Sequence, residues 1–275
     1  MTVLDDILAA TRLEVERLRA LPRRPTDRRP RDVASHLRRG TQRPLSIIAE
    51  IKKRSPSAGA LSRVLDVPSR ARVYERAGAT MISILVDRAH FDGGYEDLMA
   101  ARAFVDTPLL CKGFIVDRVQ VECAADAGAD AVLLIARILD DANLRLLSSA
   151  IRDRGMTPIV EVTDENELAR ALAIEQKTAR VIGVNARDLA TLQMDRDRAV
   201  RLIDAIPASA VALYFSGLGS ADEVRAVSTV AAPHRPADGA LIGEALMRQD
   251  DPEPLLRSMV EAAVGAAAEP ATFSR

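Results

Sequence analysis

Several apolar runs in this chain end in residues that can move protons or hold anions. Glu50-Ile51-Lys52 closes one run. Side chains alternate along a strand, so Glu50 and Lys52 share a side and can pair structurally or work together on a proton. Lys112 closes Leu109-Leu110-Cys111-Lys112, where a lysine either snorkels to solvent or serves as an acid. Glu161 sits in Ile159-Val160-Glu161-Val162, and an apolar setting that excludes water raises a carboxyl's pKa. Asn185-Ala186-Arg187 offers an amide and a guanidinium, suited to a carboxylate or a hydroxyl. Ser55-Pro56-Ser57 presents two hydroxyls on a rigid turn, and Phe215-Ser216-Gly217 and Gly243-Glu244 add glycines. Glycine turns after two late strands give a phosphate exposed N–H groups and room for close backbone approach.

Short apolar runs must position these residues, and they recur at 45–51, 80–86, 108–112, 131–135, 157–162, 180–184, 210–215 and 239–242. Each has strand length without clean period-two polarity, as expected of strands covered on both faces. Between them, segments such as 68–77, 117–127, 141–152, 165–174, 195–206 and 220–230 carry apolar residues at helical spacing. Gly78, Gly128 and Gly155 stand where helices stop, and Ser220-Ala221-Asp222-Glu223 reads as a capping box. Eight strand–helix units predict an α/β protein of (β/α)8 TIM-barrel class, with its chemistry at the C-terminal strand ends. The rival is an open doubly wound sheet, but no Gly-x-Gly-x-x-Gly follows the first run. Two inward charges at 50 and 52 also favour function, since a barrel interior prefers Val, Ile or Leu.

Residues 1–43 stand outside the repeat. Leu4, Ile7, Leu8, Thr11, Val15 and Leu18 predict an amphipathic helix, which Pro22, Pro25 and Pro30 end. The expectation is one domain over 1–275 with a helical extension that serves as lid or bottom plug. Its arginines, Arg23, Arg24, Arg28, Arg29, Arg31, Arg38 and Arg39, are expected to be a solvated lead-in, with a polyanion contact as the alternative.

The 275 residues are 48% hydrophobic and 28% charged with a net charge of −1, which argues for a substantial core and against nucleic acid or membrane as partner. No apolar run reaches the ~18–20 residues of a membrane span. Acids at Asp5 and Asp6 stand where a secretion signal would be basic. Two cysteines (Cys111, Cys123) and three scattered histidines give neither a disulfide framework nor metal-ligand spacing. A cytoplasmic, metal-free protein is expected.

Taken in order, the strand ends resemble those of the indole-3-glycerol phosphate synthase family. The most specific pieces are Glu50-Ile51-Lys52 followed by Ser55-Pro56-Ser57, and Ala127-Gly128-Ala129-Asp130-Ala131-Val132-Leu133-Leu134-Ile135. The likeness runs from Val3-Leu4-Asp5-Asp6-Ile7-Leu8 almost to the end of the chain. It implies a carboxy-lyase that closes the indole ring from carboxyphenylamino-deoxyribulose phosphate, with loss of carbon dioxide and water and without a cofactor. It further implies Lys112 as general acid and Glu161 as general base, with Lys52 and Glu50 assisting and Asn185 and Arg187 on polar groups of the substrate. Ser55, Ser57, Ser216, Gly217, Gly243 and Glu244 would lie near the phosphate. Pro56, Phe91, Phe114, Leu133 and Leu189 would form an apolar slot for the aromatic ring.

Four positions depart from the family pattern. Phe215 stands where the family has Glu, Gly113 where it has Asp, Val86-Asp87 where it has Thr-Glu, and Ala186 where it has Asn or Ser. Phe215 would remove a carboxylate from the mouth and bring a ring into the substrate pocket, and Gly113 would remove a partner of Lys112. Two alternatives therefore accompany the resemblance: a relative that cyclises another sugar-phosphate conjugate, and a phosphate-binding barrel without turnover.

Overall fold

Runs of aliphatic and β-branched residues gain most by burying both faces of a strand, and a closed barrel ringed by helices does this for every strand. The computed structural model describes residues 2–23, 25–39, 44–55, 59–61, 66–174, 180–188, 191–229 and 234–268. Eight parallel strands close the barrel: β1 (Ser46–Ile51), β2 (Met81–Leu85), β3 (Leu109–Lys112), β4 (Ala131–Ile135), β5 (Thr157–Val162), β6 (Val181–Asn185), β7 (Val211–Phe215) and β8 (Gly239–Ile242). Closure is at β1, where Ile48 is in register with Leu241 on one side and Met81 on the other. The open-sheet alternative is thereby excluded.

Alternation divides each strand between two cores. Val211, Leu213 and Phe215 of β7 face the barrel interior with Ile48, Met81, Leu110, Leu133 and Ile159. Ala212 and Tyr214 face outward under the helices. Each large aliphatic side chain so buried contributes about 1.5–3 kcal/mol.

The helices are α1 (Val3–Ala20), α2 (Val33–Leu37), α3 (Val67–Arg76), α4 (Arg88–Phe91), α5 (Tyr95–Arg102), α6 (Arg118–Asp126), α7 (Asp141–Asp153), α8 (Glu165–Leu172), α9 (Arg196–Ala205), α10 (Ala221–Ser228), α11 (Glu244–Met247) and α12 (Glu253–Ala268). Asp66, Asp117, Asp140, Asp164 and Asp195 each cap a helix with a side-chain oxygen on a first-turn N–H. Gly78, Gly128 and Gly155 end three helices at φ of 94°, 87° and 75°, a region that other residues enter at a cost.

The extension contributes side chains to both ends of the barrel. Ile7, Thr11, Val15 and Leu18 bury one face of α1, whose first turns bring Leu4 and Ile7 to the barrel mouth. The chain then descends past α6, with Arg19 on Asp117 at 2.6 Å and Arg23 on Asp126 at 2.6 Å. It ends in α2, whose Val33, Ala34 and Leu37 close the far end of the interior core.

The expected solvated lead-in is corrected for Arg23, Arg28, Arg31, Arg38 and Arg39, whereas Arg29 is exposed and Arg24 lies outside the described residues. Arg28 meets the fully buried Asp130 at 2.6 Å, and Arg31 meets Asp106 at 2.9 Å. Arg38 donates to the carbonyls of Ala208 and Ser209, and Arg39 to that of Ser228. These arginines bind the barrel because helix ends and strand starts leave carboxylates and carbonyls there for them. Among the described residues no helix is long and apolar enough to cross a membrane.

Candidate active site

Odd-numbered strands send Glu50, Lys112, Glu161 and Phe215 inward as the last interior residues of β1, β3, β5 and β7. The first three meet. Lys112 Nζ lies 3.9 Å from Glu50 Oε1 and 3.9 Å from Glu161 Oε2, and Lys52 Nζ lies 2.9 Å from Glu50 Oε2. Both carboxylates are buried, while the two lysines are only partly covered. Burial pushes the Glu50 carboxyl up, but Lys52 and Lys112 beside it more than reverse this and hold it below its ordinary value. Gly243 makes room for that carboxylate, because a Cβ there would stand 2.3 Å from Glu50 Oε2.

Glu161 is oriented from the next strand. Asn185 Nδ2 donates to Glu161 Oε1 at 3.0 Å, while Glu161 Oε2 has no hydrogen-bond partner among the described residues. One oxygen is thus fixed and the other faces Lys112 with capacity to take a proton. Asn185 Oδ1 in turn accepts the Arg187 backbone N–H at 2.9 Å, and Arg187 Nη1 donates to the Leu192 carbonyl at 3.2 Å. Behind this turn, Arg137 joins Asp188 and Glu167 at 2.7 Å each, tying the β6 exit to α8.

Above these groups lies a cavity of about 430 Å³ at the C-terminal strand ends. Glu50, Lys52, Ser55, Phe91, Lys112, Phe114, Glu161, Asn185, Arg187, Ser216, Gly217, Gly243 and Glu244 line it, which brings together thirteen of the expected site residues. Pro56, Ser57 and Leu189 lie outside the described residues. Phe91 and Phe114 face each other with centroids 6.1 Å apart.

Two expectations need correction. Leu133 and Phe215 do not line the cavity; they lie in the interior core beneath it, 0% and 1% exposed. Leu133 is one inward step below the strand end. The Phe215 ring turns down across β6, where a Cβ on Gly183 would stand 2.3 Å from it.

Other lining residues were missed from sequence. Leu85, Ile135 and Leu241 are the inward residues of the even strands β2, β4 and β8, and with Leu4 and Ile7 they form the apolar wall. The alternation that selects Glu50 selects them equally, but aliphatic residues carry no chemical signal of their own. Leu192, Leu218, Gly219, Glu223 and Arg248 line the mouth from loops and helix ends.

At the glycine turns, Ser216 and Gly217 take φ of 74° and 80°. The capping box expected at Ser220 forms only in half. Ser220 Oγ accepts the Glu223 N–H, but the Glu223 carboxylate reaches past residue 220 to the Gly219 N–H at 2.7 Å.

A cavity with apolar walls, two carboxylates and two ammoniums at its floor, and glycine turns at one rim suits acid–base chemistry on an aromatic molecule that carries an anionic group. The sequence matches the indole-3-glycerol phosphate synthase family over residues 4–259. It is 41% identical to the indole-3-glycerol phosphate synthase of a Nocardioides species over 266 residues, covering 94% of this chain and 98% of that one. The counterpart from Kineococcus radiotolerans is 40% identical over 271 residues, covering 95% and 96%.

Among solved structures, 3-hexulose-6-phosphate synthase from Salmonella typhimurium superposes with a TM-score of 0.63 at 16% identity, covering 81% of this chain and 100% of its own. Tryptophan synthase subunit alpha from Legionella pneumophila str. Paris gives 0.57 at 15%, covering 80% and 92%. These two likenesses concern the barrel alone. Matched over nearly its whole length, with the barrel and the charged floor in place, the chain belongs to the indole-3-glycerol phosphate synthase family.

Proposed function

We propose that this chain closes the pyrrole ring of indole, converting carboxyphenylamino-deoxyribulose phosphate to indole-3-glycerol phosphate, carbon dioxide and water. The observation that carries the reading is Lys112, set 3.9 Å from each of two buried carboxylates on the floor of an apolar cavity. The aromatic carbon bearing the carboxylate attacks the ketone of the sugar chain. Lys112 Nζ gives the ketone oxygen a proton as that bond forms. Carbon dioxide then leaves and restores the aromatic ring. Water departs last: the hydroxyl leaves with a proton from an ammonium, and Glu161 Oε2 takes the proton lost from the new ring. Lys52 on Glu50 is the second acid and keeps Glu50 from capturing Lys112 outright. Asn185 fixes Glu161, and Arg187 suits the substrate carboxylate. Phe91, Phe114, Leu85, Ile135 and Leu241 hold the ring away from water, and the Gly217 and Gly243 turns hold the phosphate.

Neither alternative is favoured. A barrel without turnover has no use for an ammonium shared between two buried carboxylates. Phe215, the main ground for a different conjugate, lies beneath the cavity rather than in it.

The test is to supply purified protein with the anthranilate-derived deoxyribulose phosphate and follow indole-glycerol phosphate fluorescence beside Lys112→Ala. Removing a general acid is expected to lower turnover by about 10²–10⁴-fold. Absence of turnover in the unaltered protein, or equal turnover in Lys112→Ala, overturns the reading.

A further inference from the structure

The rim that faces β7 and β8 contains a carboxylate where the proposed reaction brings a phosphate. Glu223 lines the cavity, and its Oε2 accepts the Gly219 N–H at 2.7 Å. Its Oε1 accepts Arg196 Nη2 at 2.6 Å, and the same nitrogen donates to the Gly217 carbonyl at 2.7 Å. Ordinary capping would turn the Glu223 carboxylate back to the Ser220 N–H, yet here it extends to Gly219. Across the rim, Glu244 lines the cavity too and is held by Arg248 at 2.8 Å. Arg196 stands just behind the lining, against Gly217 and Glu223, and it and Arg248 are each paired with a carboxylate that lines the cavity. A phosphate carrying ~1.5–2 negative charges needs net positive surroundings and N–H donors.

We propose that Arg196 binds the substrate phosphate and that Glu223 holds it in reserve, with the phosphate displacing the Glu223 carboxylate from both Arg196 and the Gly219 N–H. The same donors serve both anions, so the two cannot occupy them together. The exchange is cheap for Glu223, whose side chain is 32% exposed and can turn into water. Its hydrogen bonds from Gly219 and then Arg196 also keep its carboxyl below the ordinary range, so it competes as an anion at neutral pH. Without displacement, phosphate and carboxylate would repel one another across the turn. Arg196 comes from α9, after β6, and so carries a third barrel unit to a phosphate rim otherwise made by the β7 and β8 exits. This inference rests on the proposed function in needing a phosphorylated substrate.

The experiment titrates the full chain with inorganic phosphate by calorimetry and measures KM for the deoxyribulose phosphate, using Arg196→Ala, Arg196→Lys and Glu223→Gln. Loss of a charge-assisted contact in Arg196→Ala is expected to weaken phosphate about tenfold, with Arg196→Lys recovering part of it. Glu223→Gln, which removes the competitor, is expected to tighten phosphate several-fold, and KM is expected to follow both changes. An Arg196 that only braces the Gly217 carbonyl would give no tightening in Glu223→Gln. Phosphate affinity within twofold of the unaltered protein in Arg196→Ala, or no tightening in Glu223→Gln, overturns the inference. Phosphate binding is read without turnover. Arg196-dependent binding in a protein that closes no ring would sink the proposed function alone, and turnover with Arg196-independent binding would sink this inference alone.

Discussion

Glu50 holds two lysines with one buried carboxylate, and its charge state decides what each lysine can do. Burial alone would neutralise it, but Lys52 and Lys112 keep it ionised below the ordinary glutamate range. A carboxyl whose folded pKa is depressed stabilises the fold fully above its unfolded value, and this stability is lost as the pH falls through the folded value. Glu50→Gln is therefore expected to be less stable than the unaltered protein at neutral pH, with the gap closing only below the ordinary glutamate range. Denaturant melts of both proteins between pH 7 and pH 3 check this, and a gap that closes above pH 5 contradicts it. The pairing of Glu50 with Lys52 was legible because two residues apart on a strand means one side. The meeting of Lys112 with Glu161 was not, because it depends on barrel closure bringing β3 and β5 to one floor. Which oxygen of Glu161 stays open depends on Asn185, a contact 24 residues away.

At the scale of elements, β6 and β7 fit each other through a missing side chain. Gly183 leaves the space that the Phe215 ring fills, and a Cβ would lie 2.3 Å from one ring carbon and 2.5 Å from another. The ring is 1% exposed among interior side chains and has nowhere to retreat. Gly183→Ala is expected to cost about 1–3 kcal/mol by overpacking, read from urea unfolding. Phe215→Leu in the same chain is expected to restore part of that loss, because the two positions are in contact. Simple addition of the two single effects would show that the ring is not what the methyl meets. The eight strands themselves were legible from their apolar runs. What sequence reading placed wrongly was the depth of Phe215, since pattern tells inward from outward but not rim from interior. Phe215 thus packs beneath the cavity, and the charged groups above it keep their partners.

Across the whole molecule, the segment before the barrel links the two ends of the fold. Asp130, 0% exposed, accepts Arg28 at 2.6 Å, the Arg31 N–H at 2.8 Å, Arg102 at 3.2 Å and the Leu109 N–H at 2.9 Å. One carboxylate thus joins the extension, α5 and the start of β3 underneath the barrel. The arginines looked like a solvated basic stretch in the sequence because Asp130 stands 102 residues from Arg28, a separation that no local pattern reports. Asp130→Ala leaves partly buried cations and two backbone N–H groups without their acceptor, and removing one partner of a buried pair costs about 3–5 kcal/mol. That loss is expected in denaturant unfolding, together with faster proteolysis within residues 21–32. The consequence should reach the opposite end of the barrel. The same strand of chain that Asp130 anchors below places Leu4 and Ile7 against the mouth above, so a released extension uncovers the apolar wall. Asp130→Ala is accordingly expected to raise KM for the ring-closing substrate, although no atom of Asp130 lines the cavity. If KM stays put while the segment is cleaved freely, the lid and the anchor are independent, and α1 holds to the mouth through the packing of Ile7, Thr11, Val15 and Leu18 alone.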